Sequence, residues 1–274
     1  MQLASRFGKA NIIRATYALS DDQLKTVAPS IFADGAHDSR SDRYSYIPTI
    51  DVLNSLRKEG FSPFMACQTR TRDAGKRDHT KHMLRMRHAS QINGTEANEI
   101  ILLNSHDGTS SYQMLAGVFR FVCQNGLVCG DITSDIRVPH KGKIIDNVID
   151  GAFRVLDTFD IVAEQKDGMK ALTLNAGEQS AFARAALELK YDTELTPAPV
   201  TETQILRPRR SEDSSADLWT TMNRVQENMA KGGLRSRNAN GRASTTRAVS
   251  GIDQGVKLNR ALWLLAEEMR KLKV

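Results

Sequence analysis

Apolar residues in the first sixty positions recur at helical spacing. Leu24, Val27, Ala28 and Ile31 share one face behind Ser20 and Gln23, which stand at the spacing of a capping box, so a helix is predicted over about 21–32. The Gly/His/Asp/Ser-rich stretch 34–42 breaks the pattern. It resumes at Thr49, a candidate cap for a second helix carrying Ile50, Leu53 and Leu56 and ending at Gly60.

From there the period shortens. Segments 61–70 (FSPFMACQTR), 80–89 (TKHMLRMRHA) and 98–105 (NEIILLNS) read as strands of an antiparallel meander, with Gly, Asn and Asp between them. VFRFVC at 118–123 and LVCGDI at 127–132 flank Asn125-Gly126, a pair that tolerates positive φ and predicts a hairpin turn. Beyond 142 the helical period returns with Ile145, Val148, Ile149, Ala152, Phe153 and Leu156, and Asn175 and Glu178 are spaced to box the start of a further helix. Residues 191–217 hold three of the seven prolines and read as a linker or extended arm. Amphipathic helices are expected at 213–230 and 254–272. Residues 231–247 between them hold five basic residues and no acidic one, and should stay mobile until an anion orders them.

The expectation is an α+β fold: an antiparallel sheet with flanking helices in a core domain over 1–195. A C-terminal arm and helices over 196–274, with a flexible basic loop at 231–251, complete the chain. A composition of 40% hydrophobic and 26% charged residues supports a packed core and excludes a disordered chain. The net charge of +6 favours polyanionic partners. Cys67, Cys123 and Cys129 form no CxxC pair, which suits a reducing cytoplasm better than a disulfide framework. No apolar run is long enough to cross a bilayer, and MQLASRFGKANIIRAT lacks the continuous apolar core of a leader, so neither export nor a membrane partner is expected.

The densest candidate chemistry is basic. Arg70, Arg72, Lys76, Arg77, Lys81, Arg85 and Arg87 face only Asp73 and Asp78 as formal counter-charges. A strand at 80–89 would set Lys81, Met83, Arg85 and Arg87 on one face, positive and open to phosphates, with His82, Leu84, Met86 and His88 buried on the other. Lys231, Arg235, Arg237, Arg242 and Arg247 form the second patch. An aggregation-blocking charged edge is the plainer explanation of the first patch, and the acid-free second segment tips the balance towards nucleic acid.

Phe119 and Phe121 could stack on bases but fit a core as well. His79, His82 and His88, with Cys67 nearby, invite a metal reading that strand geometry opposes, since imidazoles three apart point to opposite faces. Asp146, Asp150, Asp157 and Asp160 could hold Mg²⁺ for a nuclease, or simply form an exposed acidic helix face. Phosphate-loop, nucleophile-elbow and HExxH motifs are absent, so no catalytic residue and no cofactor is assigned.

Three blocks, YIPTIDVLNSLRKEGF, EIILLNSHDGTSSYQMLAGVFRFVCQNGLV and RAVSGIDQGVKLNRALWLLAEEM, resemble in order a family of uncharacterised proteins carried by plasmids, phages and prophages. The resemblance implies a role in mobile-element biology. The succession of helix 49–59, three strands and later helices is also similar to the core of Rad52-type single-strand annealing proteins, which form rings with DNA in a basic groove. That likeness would place Arg70, Arg72, Lys81, Arg85 and Arg87 along the groove. The expected function is non-specific binding of DNA, single-stranded in preference, with annealing and self-assembly into a homo-oligomeric ring. The alternatives are an interaction protein that inhibits a host defence complex and a metal-dependent nuclease.

Overall fold

The computed structural model describes residues 12–41, 44–93, 96–121, 125–129, 136–137, 144–191, 193, 197–237 and 241–273. They divide into two compact units, one ending at Phe159 and the other starting at Asp160. The architecture is α+β, as the alternation of periods implies.

The first unit opens with β1 (Ile12–Arg14) and α1 (Asp21–Val27). Ser20 and Gln23 do form a reciprocal capping box. The predicted helix stops early, because Pro29 excludes Ala28 from helical geometry (φ −136°, ψ 67°) and a 3-10 turn over Pro29–Phe32 follows. Next comes α2 (Thr49–Lys58), whose cap position is Pro48. Thr49 therefore does not cap it, and its hydroxyl is engaged elsewhere. Gly60 follows the helix at φ +87°, the left-handed geometry that suits glycine.

The sheet comprises β2 (Phe61–Gln68), β3 (His82–His88), the short β4 (Ile92–Asn93), β5 (Glu96–Asn104), β6 (Gln113–Arg120), β7 (Asn125–Val128) and the short β8 (Ile136–Arg137). Its main path runs β1-β2-β3-β5-β6-β7, and every pairing is antiparallel. The meander is therefore the one that the sequence predicts. Pro63, which has no N–H to donate, sits at a register shift between Pro63 and Met65.

The 117–128 hairpin exists, but Asn125-Gly126 is not its turn. Both residues lie inside β7, Gly126 opposite Phe119, and the Arg85 guanidinium occupies the space beside Gly126. A Cβ there would stand 2.1 Å from Arg85 Nη1, so a side chain at 126 would have to push the guanidinium that pairs with Glu99 aside; glycine is favoured by close approach rather than by positive φ.

One face of the sheet presents Ala66, Leu84, Met86, Ile100, Leu102, Met114 and Ala116. They form a core with Leu24, Ile31, Leu53, Leu56 and the start of α3 (Ile144–Ala171), through Val148, Ala152, Val155 and Phe159. The opposite face is buried as well, through Met65, Met83, Ile101, Leu103, Leu115 and Phe119. The sheet is curled.

A line of buried polar groups ties the helical side to the strands. Ser30 donates its N–H (3.0 Å) and hydroxyl (2.8 Å) to Gln68 Oε1, so Ser30 Oγ must accept from His82 Nδ1 at 2.8 Å. His82 Nε2 then accepts from the Thr49 hydroxyl at 2.9 Å, and that hydroxyl accepts from Asn104 Nδ2 at 2.9 Å. With both hydroxyls so committed the imidazole is the neutral Nδ1–H tautomer, and its Nδ1 also faces Thr80 O at 3.2 Å.

In the second unit, α4 (Ala176–Lys190) starts at the predicted Asn175/Glu178 capping box, and α5 (Glu202–Leu206) at a second box of Thr201 and Gln204. The central helix α6 (Leu218–Lys231) is buried from Leu218 to Met229. Part of its polar side is satisfied internally: Gln226 donates to Asn259 of α7 (Ile252–Lys273) at 2.8 Å, and Arg210 pairs with Glu227, whereas Asn223 Oδ1 and Arg224 Nε are buried without a hydrogen-bond partner among the described residues. The boundary expected near 195 falls inside this unit, because α5 packs between α4 and α6. The segment expected to be a mobile loop contains a ribbon, β9 (Arg235–Arg237) paired with β10 (Ala243–Thr245).

Burial pushes the His82 imidazole down to about 3, with repulsion from His106 adding to it. Between pH 3 and 6.5 the unfolded chain therefore binds a proton that the folded chain refuses, and stability falls as the pH drops through that window. Urea unfolding at pH 6.5 and pH 5 should show wild type losing about 2 kcal/mol more than His82→Gln. Equal losses would remove His82 as the titrating group.

Candidate nucleic-acid interface

The loop from the end of β2 to the start of β3 carries the exposed part of the first basic patch. Arg70, Arg72 and Arg77 are exposed, and Lys76 and Lys81 are half-buried. The base of the loop is fixed by Thr69 N–H to Lys81 O (2.8 Å), Thr80 Oγ1 to Thr69 O (3.0 Å) and Gln68 Nε2 to Arg77 O (2.6 Å). Asp73 Oδ1 accepts from Gly75 N at 3.0 Å and shapes the turn within it. The loop helps to line a pocket of about 380 Å³, whose other lining residues include Val27 and Pro29, with Arg70, Arg72, Asp73 and Arg77 contributed by the loop. Gln68 forms part of its lining and also ends the Ser30–His82–Thr49 line, so the pocket wall is anchored in the core.

Arg85 and Arg87 do not join this surface. They are 5% and 2% exposed, on the same buried sheet face as Met83, Ile101 and Leu103. Arg85 Nη1 meets Glu99 Oε2 at 2.7 Å, and Arg87 Nη2 meets Glu99 Oε1 at 2.9 Å. Arg85 Nη2 also donates to Gly126 O at 3.2 Å, while the Arg87 guanidinium lies 4.4 Å from the Phe64 ring centroid and 4.3 Å from that of Phe119. The face expected to bind phosphates thus holds its own carboxylate and aromatics. Desolvation lowers the Arg87 pKa against the opposing pull of Glu99. Burial pushes the nearby Arg14 down to about 10, aided by repulsion from Arg85, which leaves it charged at neutral pH. Glu99 and Arg14 were not singled out in the sequence; Glu99 at the head of the apolar run EIILLN was the available signal.

The aromatic and metal candidates also resolve. Phe119 is buried, and its ring stands 5.3 Å from that of Phe121 and against Arg87, so Phe119 is a core ring in contact with a guanidinium. His82 is used by the buried polar line, and His88 Nδ1 pairs with Ser90 Oγ at 2.6 Å. Cys67 is opposite Met83 on the other sheet face, and burial raises its thiol to about 11, which keeps it protonated. Cys123 lies outside the described residues. Among the described residues, no three His, Cys, Asp or Glu side chains are grouped to hold a metal ion. Asp150, Asp157 and Asp160 are exposed along α3, and the Asp146 side chain lies outside the description.

In the second unit, β9 sets Arg235 and Arg237 on one face of the ribbon, both exposed, with Arg242 and Arg247 exposed beside β10. Lys231 differs: its ammonium pairs with Glu227 Oε1 at 2.6 Å at the end of α6. Arg237 Nη1 donates to Gly241 O at 3.0 Å, which steadies the ribbon.

The model of the family described as a domain of unknown function, DUF932, matches residues 36–263, from the segment before α2 into α7. The chain belongs to that family. It is 59% identical over 268 residues to the UPF0380 protein YafZ of Escherichia coli strain K12, covering 98% of this chain and 97% of the relative. Against the UPF0380 protein YfjQ of the same strain it is 58% identical over the same length and shares. No solved structure matches. The DUF932 match takes in both the arginine-lined loop and the arginine ribbon. Among the described residues, no helix is long and apolar enough to cross a membrane.

Removing the carboxylate that faces two buried guanidiniums leaves them uncompensated. Glu99→Gln is expected to cost about 3–5 kcal/mol in urea unfolding, while Arg72→Ala on the exposed loop should stay within about 0.5 kcal/mol. Comparable small effects at both positions would contradict the assignment of buried and exposed charges.

Proposed function

We propose that the protein binds nucleic acid through its phosphates, prefers single-stranded DNA, and anneals strands in the recombination or repair of mobile elements. The observation that carries this reading is the convergence of Arg70, Arg72 and Arg77 on one pocket whose loop is already pinned to the sheet. A concave site of that size suits a flexible strand, which can turn one nucleotide into it, whereas a duplex keeps its phosphates on a convex cylinder. The exposed arginine ribbon of the second unit supplies further phosphate contacts.

The phosphate-binding set is therefore Arg70, Arg72, Lys76, Arg77 and Lys81 in the first unit and Arg235, Arg237, Arg242 and Arg247 in the second. Arg85 and Arg87 leave the set because Glu99 holds them, and Lys231 because Glu227 does. The reading assigns no catalytic residue, and it expects a cytoplasmic protein that self-associates on DNA.

Anisotropy titrations of a labelled single strand over a range of salt should give a linear fall of log affinity with log salt. Replacing Arg70, Arg72 and Arg77 together by Ala should reduce the steepness of that slope by about 2, at about 0.7 per phosphate contact. A salt-independent affinity, or an unchanged slope in the folded triple variant, would refute the reading. Absence of any binding at low salt would turn attention to an acidic protein partner.

A further inference from the structure

We infer that the β9–β10 ribbon is a duplex-reading element, whose outward face enters the major groove of double-stranded DNA and meets base edges there. This deepens the nucleic-acid reading and rests on it, since annealing two strands yields a duplex. Strand pairing defines the face. Arg235 stands opposite Thr245 and Arg237 opposite Ala243, so these four side chains share one side of the ribbon, and Ser236 and Ser244 take the other. All four are exposed, whereas Ser236 is half-buried. From Asn228 to Ile252 the sequence holds no acidic residue, so nothing in that segment plays for these arginines the part that Glu99 plays for Arg85 and Arg87.

The ribbon is held from its base. Two strands of three residues do not persist alone in water, so its shape depends on how the ends are tied. Gly233 N–H donates to Thr246 O at 2.8 Å, Thr246 N–H to Leu234 O at 2.9 Å and Val249 N–H to Ala230 O at 2.8 Å. Arg209 clamps the end of α6, donating from Nε to Asn228 Oδ1 and from Nη2 to Gly232 O, both at 2.7 Å. Gly232 has φ +61°, and a Cβ there would stand 2.6 Å from the carbonyl carbon of Arg247, so the two chain segments meet backbone to backbone. Gln204 of α5 donates to Arg235 O at 2.8 Å. The arginines are thus presented on an anchored projection before any partner arrives.

Dimensions and chemistry then select the partner. A two-stranded ribbon fits a major groove about 12 Å wide. Alternate residues of a strand lie about 6.8 Å apart, which spans two base steps of about 3.4 Å, so Arg235 and Arg237 can address bases two steps apart. A guanidinium fork suits the O6 and N7 acceptors of guanine, and the methyl groups of Thr245 and Ala243 suit the thymine methyl. Arg237 spends one N–H on Gly241 O at 3.0 Å and keeps further donors for a base. Arg247, exposed at the foot of the ribbon, is placed for phosphate.

The test uses the full-length protein and labelled DNA of one mixed sequence in three forms: the duplex, the same duplex with 7-deazaguanine at every guanine, and one of its single strands. Exchanging N7 for carbon removes a major-groove acceptor and leaves the phosphate charge unchanged. The natural duplex should bind about tenfold tighter than the substituted one. Arg235→Ala/Arg237→Ala, with the melting temperature of wild type, should bind the two duplexes equally. Equal binding of both duplexes by wild type, or a preference that persists in the double variant, would overturn the inference. Single-strand binding without duplex binding would also overturn it and leave the nucleic-acid reading standing. Guanine-dependent duplex binding without single-strand binding would sustain the ribbon's role and sink the single-strand preference. Binding to none of the three forms would sink both.

Discussion

The charged groups on the second buried face of the sheet are organised around one carboxylate. Glu99 is fully buried, and two guanidiniums from the neighbouring strand converge on it. Neither charge type could stay there alone, because an unpaired ion in a dry interior is costly by several kcal/mol. The pairing fixes the β3–β5 register, since a one-residue slip would turn Arg85, Arg87 and Glu99 away from one another. It also accounts for Gly126, where a Cβ would displace the Arg85 guanidinium from its place beside Glu99.

The same burial separates two populations of arginine that look alike in the sequence. Those on β3 are structural, held by Glu99 and aromatic rings. Those on the loop before it, Arg70, Arg72 and Arg77, are exposed around a pocket. The base of that loop is anchored from the other sheet face: Gln68, Ser30, His82, Thr49 and Asn104 share one chain of hydrogen bonds that ends at Gln68, a pocket-lining residue. Core polarity thus anchors the loop that carries Arg70, Arg72 and Arg77, through Gln68 on Arg77 O.

Much of this was legible in the residues. Capping boxes at Ser20 and Asn175, the meander of strands and the long C-terminal helices all follow from local chemistry, and they appear where that chemistry puts them. The failures have a common origin in tertiary packing. Thr49 reads as a cap, but a buried imidazole claims its hydroxyl; Gly126 reads as a turn, but a distant arginine claims its space. The misplacement of Arg85 and Arg87 came from assuming one open sheet face. Ile100, Ile101, Leu102 and Leu103 form a continuous apolar run, which is the signature of a strand buried on both faces. Taken seriously, that run would have moved both arginines inside and demanded a carboxylate such as Glu99.

The account turns on which arginines an anion can reach. Labelling with phenylglyoxal, which modifies accessible guanidiniums, followed by mass spectrometry with and without a saturating single-stranded oligonucleotide, reads this at each residue. The account predicts that Arg70, Arg72 and Arg77 are labelled in the free protein and protected by the oligonucleotide, while Arg85 and Arg87 stay unlabelled in both states. Labelling of Arg85 and Arg87 in the folded protein, or no protection of the loop arginines by bound oligonucleotide, would contradict it.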